Sequence, residues 1–337
     1  MKTVIISGIN QVDLVENVKP VPQKGEVLLK IKYVGFCGSD LNTFLGKNPM
    51  VKMPVIPGHE ISAVVEEITT GVPDTIRVGM RCTVNPYTNC GICPSCRNGR
   101  PNACQFNHTL GVQRDGAMSE YIVVPWPKVI ADDAISSRDF TLVEPMSVGF
   151  HAVSRAKVTD VDVVMVIGCG MIGVGAIVRA ALRGARVIAA DVDDEKLKLA
   201  KRLGAVYTIN SATEDVHSRL MEITQNMGPD VVIEAVGAPV TYRMAIDEVA
   251  FTGRVVCIGY AKSEVSFDTK YFVSKELDIR GSRNALPEDF RAVMEYVKRN
   301  EIPGTLISAI YPPEKAGEAL TYWSENAGKV FRIFIEF

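Results

Sequence analysis

The stretch VVMVIGCGMIGVGAIVRAALRGARVIAAD at residues 163–191 decides the fold of much of this chain. An apolar run at 163–167 is followed by a glycine-rich turn, a helical pattern at 171–183 and a second apolar run at 186–190. Apolar runs that alternate with helices at this spacing predict βαβ units around a parallel sheet. Similar runs at 231–235 and 255–259 extend the pattern, so we predict a doubly wound α/β domain.

The segments on either side of this stretch have a different pattern. From Glu26 to about Val124, short β-branched runs are interrupted by glycine and proline, which is typical of antiparallel strands and turns. A helix at 287–299 and a last strand near 330–336 follow the α/β stretch. We therefore predict a β-rich domain at 1–149, to which 286–337 returns, and an α/β domain at 150–285.

The composition excludes several classes of function. A net charge of −2 over 337 residues lacks the basic excess of proteins that bind nucleic acid or membrane surfaces. No uncharged apolar run reaches the length of about 18 residues that a membrane span requires. The first sixteen residues hold no secretory signal, so we expect a cytoplasmic protein.

Four of the eight cysteines follow a metal-ligand spacing, Cys-x2-Cys-x2-Cys-x7-Cys, at Cys90, Cys93, Cys96 and Cys104. In a reducing compartment this spacing predicts metal ligation rather than disulfides. Four thiolates close a tetrahedral shell around Zn²⁺ and leave no open position, so such a site would be structural. The alternatives are an iron–sulfur cluster, a redox pair and free cysteines.

The glycine-rich turn predicts a dinucleotide site. Gly168 permits the tight turn, Gly170 lets the backbone approach a pyrophosphate, and Gly173 lets helix and strand pack closely. Asp191, at the end of the next apolar run, would accept hydrogen bonds from the ribose and repel a 2′-phosphate, which favours NAD over NADP. Lys196 either reaches the same ribose or is a solvated helix lysine.

A third set of residues is dispersed along the chain. Cys37 and His59 each lie at a glycine-containing turn after a strand-like run, and Glu144 stands in an apolar stretch where a lone carboxylate is costly. One thiolate, one imidazole and one carboxylate make a three-ligand catalytic zinc shell. The alternatives are a buried free cysteine, a core histidine and a surface carboxylate.

Taken in order along the chain, these motifs resemble those of the zinc-dependent medium-chain dehydrogenases, the alcohol, polyol and threonine dehydrogenase group. Gly25-Glu-Val27, Asp115-Gly116, Ser119-Glu-Tyr121 and Glu144-Pro145 extend the resemblance, and Gly281-Ser-Arg-Asn-Ala285 is most similar to sugar-acid dehydrogenases of the L-galactonate 5-dehydrogenase kind. The resemblance implies a GroES-like catalytic domain with a Rossmann domain, two zinc ions per chain, NAD, and a homodimer or homotetramer.

The resemblance also implies roles for single residues. It places the catalytic zinc on Cys37, His59 and Glu144, with Glu60 as an exchanging fourth ligand or as a carboxylate behind the ligands. Asp40 would hydrogen-bond His59, and Ser39 would take the proton of the substrate hydroxyl. Ile172, Gly259 and Arg283 join the residues expected to contact the cofactor.

The sequence leaves the route of the proton and the recognition of the substrate open. Asn42 stands where related enzymes usually carry a proton-relaying histidine, so the proton would leave through the ribose, His151 or water, or would not be relayed at all. Arg114, Arg283 and Asn284 are candidates for substrate recognition. The leading hypothesis is NAD-dependent oxidation of a secondary hydroxyl in a polyol, a sugar acid or a related hydroxy compound. L-threonine 3-dehydrogenase-type activity and a non-catalytic NAD-binding regulator are the alternatives.

Overall fold

A computed structural model describes all residues, Met1–Phe337. Its fifteen strands are β1 (Lys2–Gly8), β2 (Gln11–Glu16), β3 (Glu26–Phe36), β4 (Glu60–Ile68), β5 (Arg81–Val84), β6 (Tyr121–Pro125), β7 (Val129–Ala131), β8 (Val163–Ile167), β9 (Arg186–Asp191), β10 (Tyr207–Asn210), β11 (Val231–Glu234), β12 (Arg254–Cys257), β13 (Asp278–Gly281), β14 (Ala309–Tyr311) and β15 (Ile333–Glu336). Its ten α-helices are α1 (Gly38–Phe44), α2 (Pro94–Arg97), α3 (Ser137–Ala156), α4 (Met171–Leu182), α5 (Asp194–Arg202), α6 (Val216–Thr224), α7 (Pro239–Glu248), α8 (Lys270–Ser274), α9 (Pro287–Arg299) and α10 (Ala316–Glu325).

The first compact unit comprises Met1–Glu144 and Phe290–Phe337. A seven-stranded sheet runs in the order β14-β15-β3-β4-β5-β7, and β6 also pairs with β3. Apart from the parallel β14–β15 pair, its strand pairs are antiparallel. The strand β3 lies between β15 and β4, so residues near its carboxyl end meet residues that start both neighbours.

The second compact unit comprises Pro145–Asp289. Its six parallel strands have the order β10-β9-β8-β11-β12-β13, which is the doubly wound order of dinucleotide-binding folds. Alternate residues of the central strand β8 pack on opposite faces, Val164 and Val166 on one and Met165 and Ile167 on the other. The sheet is thus covered on both faces, and the predicted fold class is confirmed.

Both points at which the chain passes between the units lie inside helices. Glu144 and Pro145 are consecutive residues of α3, and Asp289 and Phe290 are consecutive residues of α9. The sequence-based boundaries, at 149/150 and 285/286, therefore differ from those of the structure by several residues. None of the helices combines the length and the apolar character needed to cross a bilayer.

Candidate metal and cofactor sites

Strand pairing brings residues from three distant segments to one end of the first sheet. Gly35 of β3 pairs with Glu60, the first residue of β4, and Phe36 pairs with Ile333, the first residue of β15. Cys37 follows β3 directly, as His59 and Arg332 directly precede β4 and β15. The antiparallel register thus gathers a thiol, an imidazole, a carboxylate and a guanidinium.

The ligand atoms of Cys37, His59 and Glu60 all lie within 4.8 Å of one another. His59 and Glu60 are buried, and the Nδ1 atom of His59 and both carboxylate oxygens of Glu60 have no hydrogen-bond partner. Buried polar atoms are rarely left without partners, so this donor set fits a bound cation. A thiolate, an imidazole and a carboxylate are ligands that Zn²⁺ prefers.

The charges of these groups act on one another strongly. Burial opposes ionisation of Cys37, but the charge and hydrogen bond of His59 outweigh it and lower the pKa of the thiol. Burial also opposes protonation of His59, yet Cys37, Asp40 and Glu144 raise the pKa of its imidazole well above 6.5. The site therefore favours a thiolate at Cys37, which is the form that binds a metal.

Glu144 lies outside the set of three mutually close ligand atoms. It is buried on α3, and its Oε1 atom accepts a hydrogen bond from the hydroxyl of Tyr87. It remains close enough to contribute to the raised pKa values of both His59 and Glu60. We predicted Glu144 as the third ligand and Glu60 as an exchanging fourth one. In the structure, Glu60 is the carboxylate whose ligand atom lies close to those of Cys37 and His59.

The start of α1 positions Ser39 and Asp40. The Oγ atom of Ser39 is buried and has no hydrogen-bond partner. The predicted hydrogen bond between Asp40 and His59 is not formed. Instead, Oδ2 of Asp40 accepts the backbone N–H of Cys37 at 2.7 Å, because a carboxylate three residues into the helix reaches back to the residue that precedes it. Asp40 acts on His59 through its charge alone.

The four-cysteine segment forms a compact cluster of sulfur atoms. The Sγ–Sγ distances are 3.5 Å for Cys93–Cys96, 3.8 Å for Cys93–Cys104 and 3.6 Å for Cys104–Cys90. A tetrahedral shell with Zn–S bonds of about 2.3 Å places its sulfurs about 3.8 Å apart. Backbone N–H groups, first that of Cys96, lower the pKa of Cys93 to about 5. The cluster fits a four-thiolate zinc site, and all its cysteines are free of disulfides.

The glycine-rich turn follows β8 and opens α4. A Cβ atom on Gly173 would lie 1.7 Å from the carbonyl oxygen of Gly168, so only glycine allows this packing. Above Gly170, by contrast, no atom lies within 4 Å of a built Cβ. The N-terminus of the twelve-residue helix α4 begins at this open position, as a pyrophosphate site requires.

Asp191 ends β9, next to this turn. Its Oδ2 atom accepts the backbone N–H of Cys169 at 2.7 Å, and its Oδ1 atom accepts those of Val192 and Asp193 at 2.8 and 3.1 Å. A carboxylate has about four acceptor positions, so one stays available to a ribose hydroxyl. Lys196 is near enough to influence the pKa of Cys169.

The remaining predicted cofactor residues follow neighbouring strands of the same sheet. Ile172 lies in α4, Gly259 follows β12, and Arg283 follows β13. A Cβ atom on Gly259 would lie 2.2 Å from the backbone nitrogen of Gly237, so two loops touch there. Carboxyl ends of parallel strands are where doubly wound sheets bind nucleotides.

His151 is buried, and its Nδ1 atom lies 2.8 Å from Oδ2 of Asp289. This pairing supports an interior structural histidine rather than a proton relay. Asn42 lies in α1, within the first unit, and its side chain does not titrate.

Comparisons with known proteins agree with this geometry. The chain matches the alcohol dehydrogenase GroES-like domain over residues 23–133 and the zinc-binding dehydrogenase model over residues 172–299. It is 33% identical over 289 residues to the L-galactonate-5-dehydrogenase of Escherichia coli K12, covering 86% of this chain and 84% of that protein. The chain belongs to the zinc-type alcohol dehydrogenase family. The predicted resemblance is thereby confirmed.

Two further relatives of this dehydrogenase are informative. A sorbitol dehydrogenase of Halalkalibacterium halodurans is 31% identical over 326 residues, covering 95% of this chain and 94% of its own length. The alcohol dehydrogenase RspB of Escherichia coli CFT073, solved with NADH, superposes with a TM-score of 0.91 at 29% identity over 100% of this chain and 99% of its own. Zinc and a nicotinamide nucleotide are thus the cofactors of this family.

The first compact unit carries the candidate catalytic zinc site, and we call it the catalytic unit. Sequence reasoning missed two of its residues, Arg332 and Tyr87. Arg332 stands within the apolar stretch Val330-Phe-Arg-Ile-Phe-Ile335, where a lone cation is as costly as Glu144 is in its own stretch. That signal was present in the sequence. Tyr87 carried none, because its bond to Glu144 joins residues 57 positions apart.

Proposed function

We propose that this dehydrogenase oxidises a secondary hydroxyl of a sugar acid or polyol with NAD, using Cys37, His59, Glu60 and Glu144 as its catalytic zinc ligands. The observation that carries the proposal is the buried convergence of Cys37, His59 and Glu60 within 4.8 Å, with acceptor atoms left unpaired. Relatives that act on a sugar acid and on sorbitol, as their names state, support this substrate class.

The oxidation removes a hydride from the carbon and a proton from the hydroxyl oxygen of the substrate. When bound, zinc supplies the Lewis acidity that makes this hydroxyl acidic near neutral pH, and NAD accepts the hydride. Ser39 receives the proton at Oγ, a buried atom without any other partner. Because the side chain of Asn42 does not titrate, it does not relay this proton, and water is the proposed acceptor of the proton from Ser39.

The four proposed zinc ligands differ in chemical type and in the residues that hold them in place. Cys37 would hold the ion as a thiolate, the form that the charge of His59 favours, and His59 would hold it through its neutral imidazole. Glu60 and Glu144 supply carboxylates from different elements, one tied to Arg332 and the other to Tyr87. Both carboxylates would hold the ion together with Cys37 and His59.

The cofactor residues of the second unit are Gly168, Gly170, Ile172, Gly173, Asp191, Lys196, Gly259 and Arg283. The open backbone at Gly170 and the N-terminus of α4 would receive the pyrophosphate. Asp191 would bind the ribose hydroxyls and disfavour a 2′-phosphate. NAD is therefore the proposed acceptor.

Cys37→Ser tests the proposal. The variant should lose one of two zinc equivalents and all detectable NADH formation with L-galactonate, D-gluconate or sorbitol, while its NAD dissociation constant stays unchanged. Cys82→Ala is the matched control, since Cys82 is a buried thiol of the same sheet outside both clusters. Turnover and two zinc ions in the Cys37 variant would contradict the assignment, and loss of NAD binding would mean that its role is misplaced.

We also propose a cytoplasmic homodimer or homotetramer. All eight cysteines are free, as a reducing compartment maintains them. The strand β13 ends the six-stranded sheet and leaves an edge on which Ile279 is 43% exposed. Sedimentation velocity of the zinc-loaded protein tests the assembly, and a monomer at micromolar concentration would refute it.

A further inference from the structure

Two cationic side chains of the first unit, Arg114 and Lys128, have no carboxylate partner. The guanidinium of Arg114 makes neither an ion pair nor a hydrogen bond, and burial lowers its pKa. The ammonium of Lys128 donates a hydrogen bond of 2.5 Å to the backbone carbonyl of Tyr87. Burial, and then the charge of Arg114, lower the pKa of Lys128. Two neighbouring positive charges thus remain uncompensated.

The loop that carries Arg114 packs on the turn that carries His59. The backbone N–H of Gly111 donates to the carbonyl oxygen of Arg114 at 2.7 Å, which closes the loop. A Cβ atom on Gly111 would lie 2.5 Å from the backbone nitrogen of Gly58, the residue before His59. Arg114 is nevertheless exposed, so a solute can reach its guanidinium.

Lys128 approaches the ligand set from another segment. The carbonyl group that it contacts belongs to Tyr87, and the hydroxyl of Tyr87 donates to Glu144. One residue, Tyr87, therefore links Lys128 to the proposed zinc ligand Glu144. In the same way, one contact between loops links the segment of Arg114 to the segment of His59. Both cations are thus linked to segments that carry proposed zinc ligands, and neither forms an ion pair.

We propose that Arg114 and Lys128 form an anion subsite, which holds the carboxylate or phosphate end of the substrate while its secondary hydroxyl lies at Cys37 and His59. A guanidinium binds two oxygens of such a group in parallel, and an ammonium adds a point charge. A neutral polyol leaves both cations unpaired. The inference rests on the proposed function and narrows its substrates to polyols with an anionic end.

Matched substrate pairs test this subsite. The values of kcat/KM are compared for D-gluconate, L-galactonate, a hexitol 1-phosphate and the uncharged hexitols. Wild-type enzyme should prefer an anionic compound. The anionic compound with the highest kcat/KM shows whether the subsite binds a carboxylate or a phosphate. Arg114→Gln should reduce the anionic-to-neutral ratio by about 10- to 100-fold, as expected when a hydrogen bond to a charged group is lost. Arg77→Gln, an exposed arginine of the same unit, should leave the ratio unchanged.

Lys128→Gln provides a second variant, because its amide still donates to the carbonyl of Tyr87 but carries no charge. It should also reduce the ratio, with zinc content and melting temperature near those of the wild type. An unchanged ratio in both variants, or a wild-type preference for the neutral hexitols, overturns the subsite.

The proposed function can fail separately. If zinc-loaded wild-type enzyme oxidises none of these compounds, the function is wrong, and calorimetric titration with D-gluconate and with inorganic phosphate still decides the subsite. Binding that weakens about 10-fold or more in Arg114→Gln supports it. Equal affinity in both proteins, or binding to neither, overturns it.

Discussion

The Nε atom of Arg332 lies 3.0 Å from the Oε2 atom of Glu60, and the two side chains are only 5% and 0% exposed. The distance makes them an ion pair, although the angle does not satisfy a hydrogen bond and leaves both atoms without one. Burial raises the pKa of Glu60, and the charge of Arg332 is the strongest influence opposing that shift. The pKa of Glu60 stays well above its usual value, and Arg332 is the group that most favours the ionised form of this carboxylate beside Cys37 and His59.

Removal of this cation should be costly. Arg332→Met should lower the free energy of unfolding by about 3–5 kcal/mol, because it leaves a buried carboxylate without its partner. The double variant Glu60→Gln with Arg332→Met should recover most of that loss. Urea denaturation of the four proteins of this cycle, each loaded with zinc, gives the coupling energy. A coupling near zero would show that the two groups do not depend on each other.

The absence of a side chain at Gly35 makes room for Glu60. A Cβ atom there would lie 2.4 Å from Oε2 and 3.1 Å from Cβ of Glu60. We expect Gly35→Ala to displace the carboxylate, to weaken catalytic zinc binding in a chelator competition, and to destabilise the protein by about 1–3 kcal/mol. Gly304→Ala is the control, since no atom lies within 4 Å of its built Cβ. Equal zinc affinity in the two variants would show that the absence of a side chain at Gly35 is not needed for zinc binding.

The four-cysteine cluster should hold its own zinc ion. Cys93→Ser should reduce the zinc content from two ions per chain to one. It should also lower the melting temperature, because the short loops that carry the four cysteines are no longer held together by the ion. Cys82→Ala should keep both ions, since burial raises the pKa of this thiol to about 12 and it lies outside the cluster. Metal analysis by mass spectrometry after purification without chelator measures both.

The same cluster should respond to acid in a defined direction. The pKa of Cys93 is lowered from 9.0 to about 5 by backbone N–H groups, so its thiolate stabilises the fold fully above pH 9. That contribution is lost as the pH falls through about 5, where the thiolate is protonated. Zinc release from Cys37→Ser, which retains only the cluster ion, should therefore rise steeply near and below this pH. Release that is independent of pH between 7 and 4 would contradict the predicted role of Cys93.

Asp191 should act on both cofactor choice and local stability. Asp191→Ala should relax discrimination against NADP by about 10-fold or more, since it removes the negative charge that opposes a 2′-phosphate. It should also destabilise the second unit by about 1–3 kcal/mol, because the N–H groups of Cys169, Val192 and Asp193 lose their acceptor. Glu195→Ala, at a nearby exposed acid whose carboxylate contacts only the exposed Lys198, should do neither. Unchanged kcat/KM ratios for NAD and NADP would refute the first effect.

The second unit could be predicted in detail because its signals are local. The strand β8 coincides with the apolar run at 163–167, and α4 ends only one residue short of the helical pattern at 171–183. Each apolar strand is buried on both faces, so its whole sequence is apolar and bounded by glycine-containing turns. Such runs are visible without knowledge of what they pack against.

The catalytic unit could be predicted only in part. The identities of Cys37 and His59 follow from ligand chemistry, but the relative closeness of Glu60 and Glu144 depends on strand register and on Tyr87. The unit boundaries lie inside α3 and α9, where no linker composition marks them. The sequence also does not show that Asp40 accepts a hydrogen bond from the backbone N–H of Cys37 instead of bonding to His59.

The strand β15 gives the catalytic unit a particular order of assembly. During synthesis, residues 145–289 emerge before β15, so the nucleotide-binding unit can fold while the ribosome still holds the partner strand of Phe36. Arg332 reaches Glu60 only when that strand has been added. A nascent chain should therefore acquire its ability to bind nucleotide before it can retain its catalytic metal, and premature termination before Arg332 would leave a nucleotide binder without chemistry.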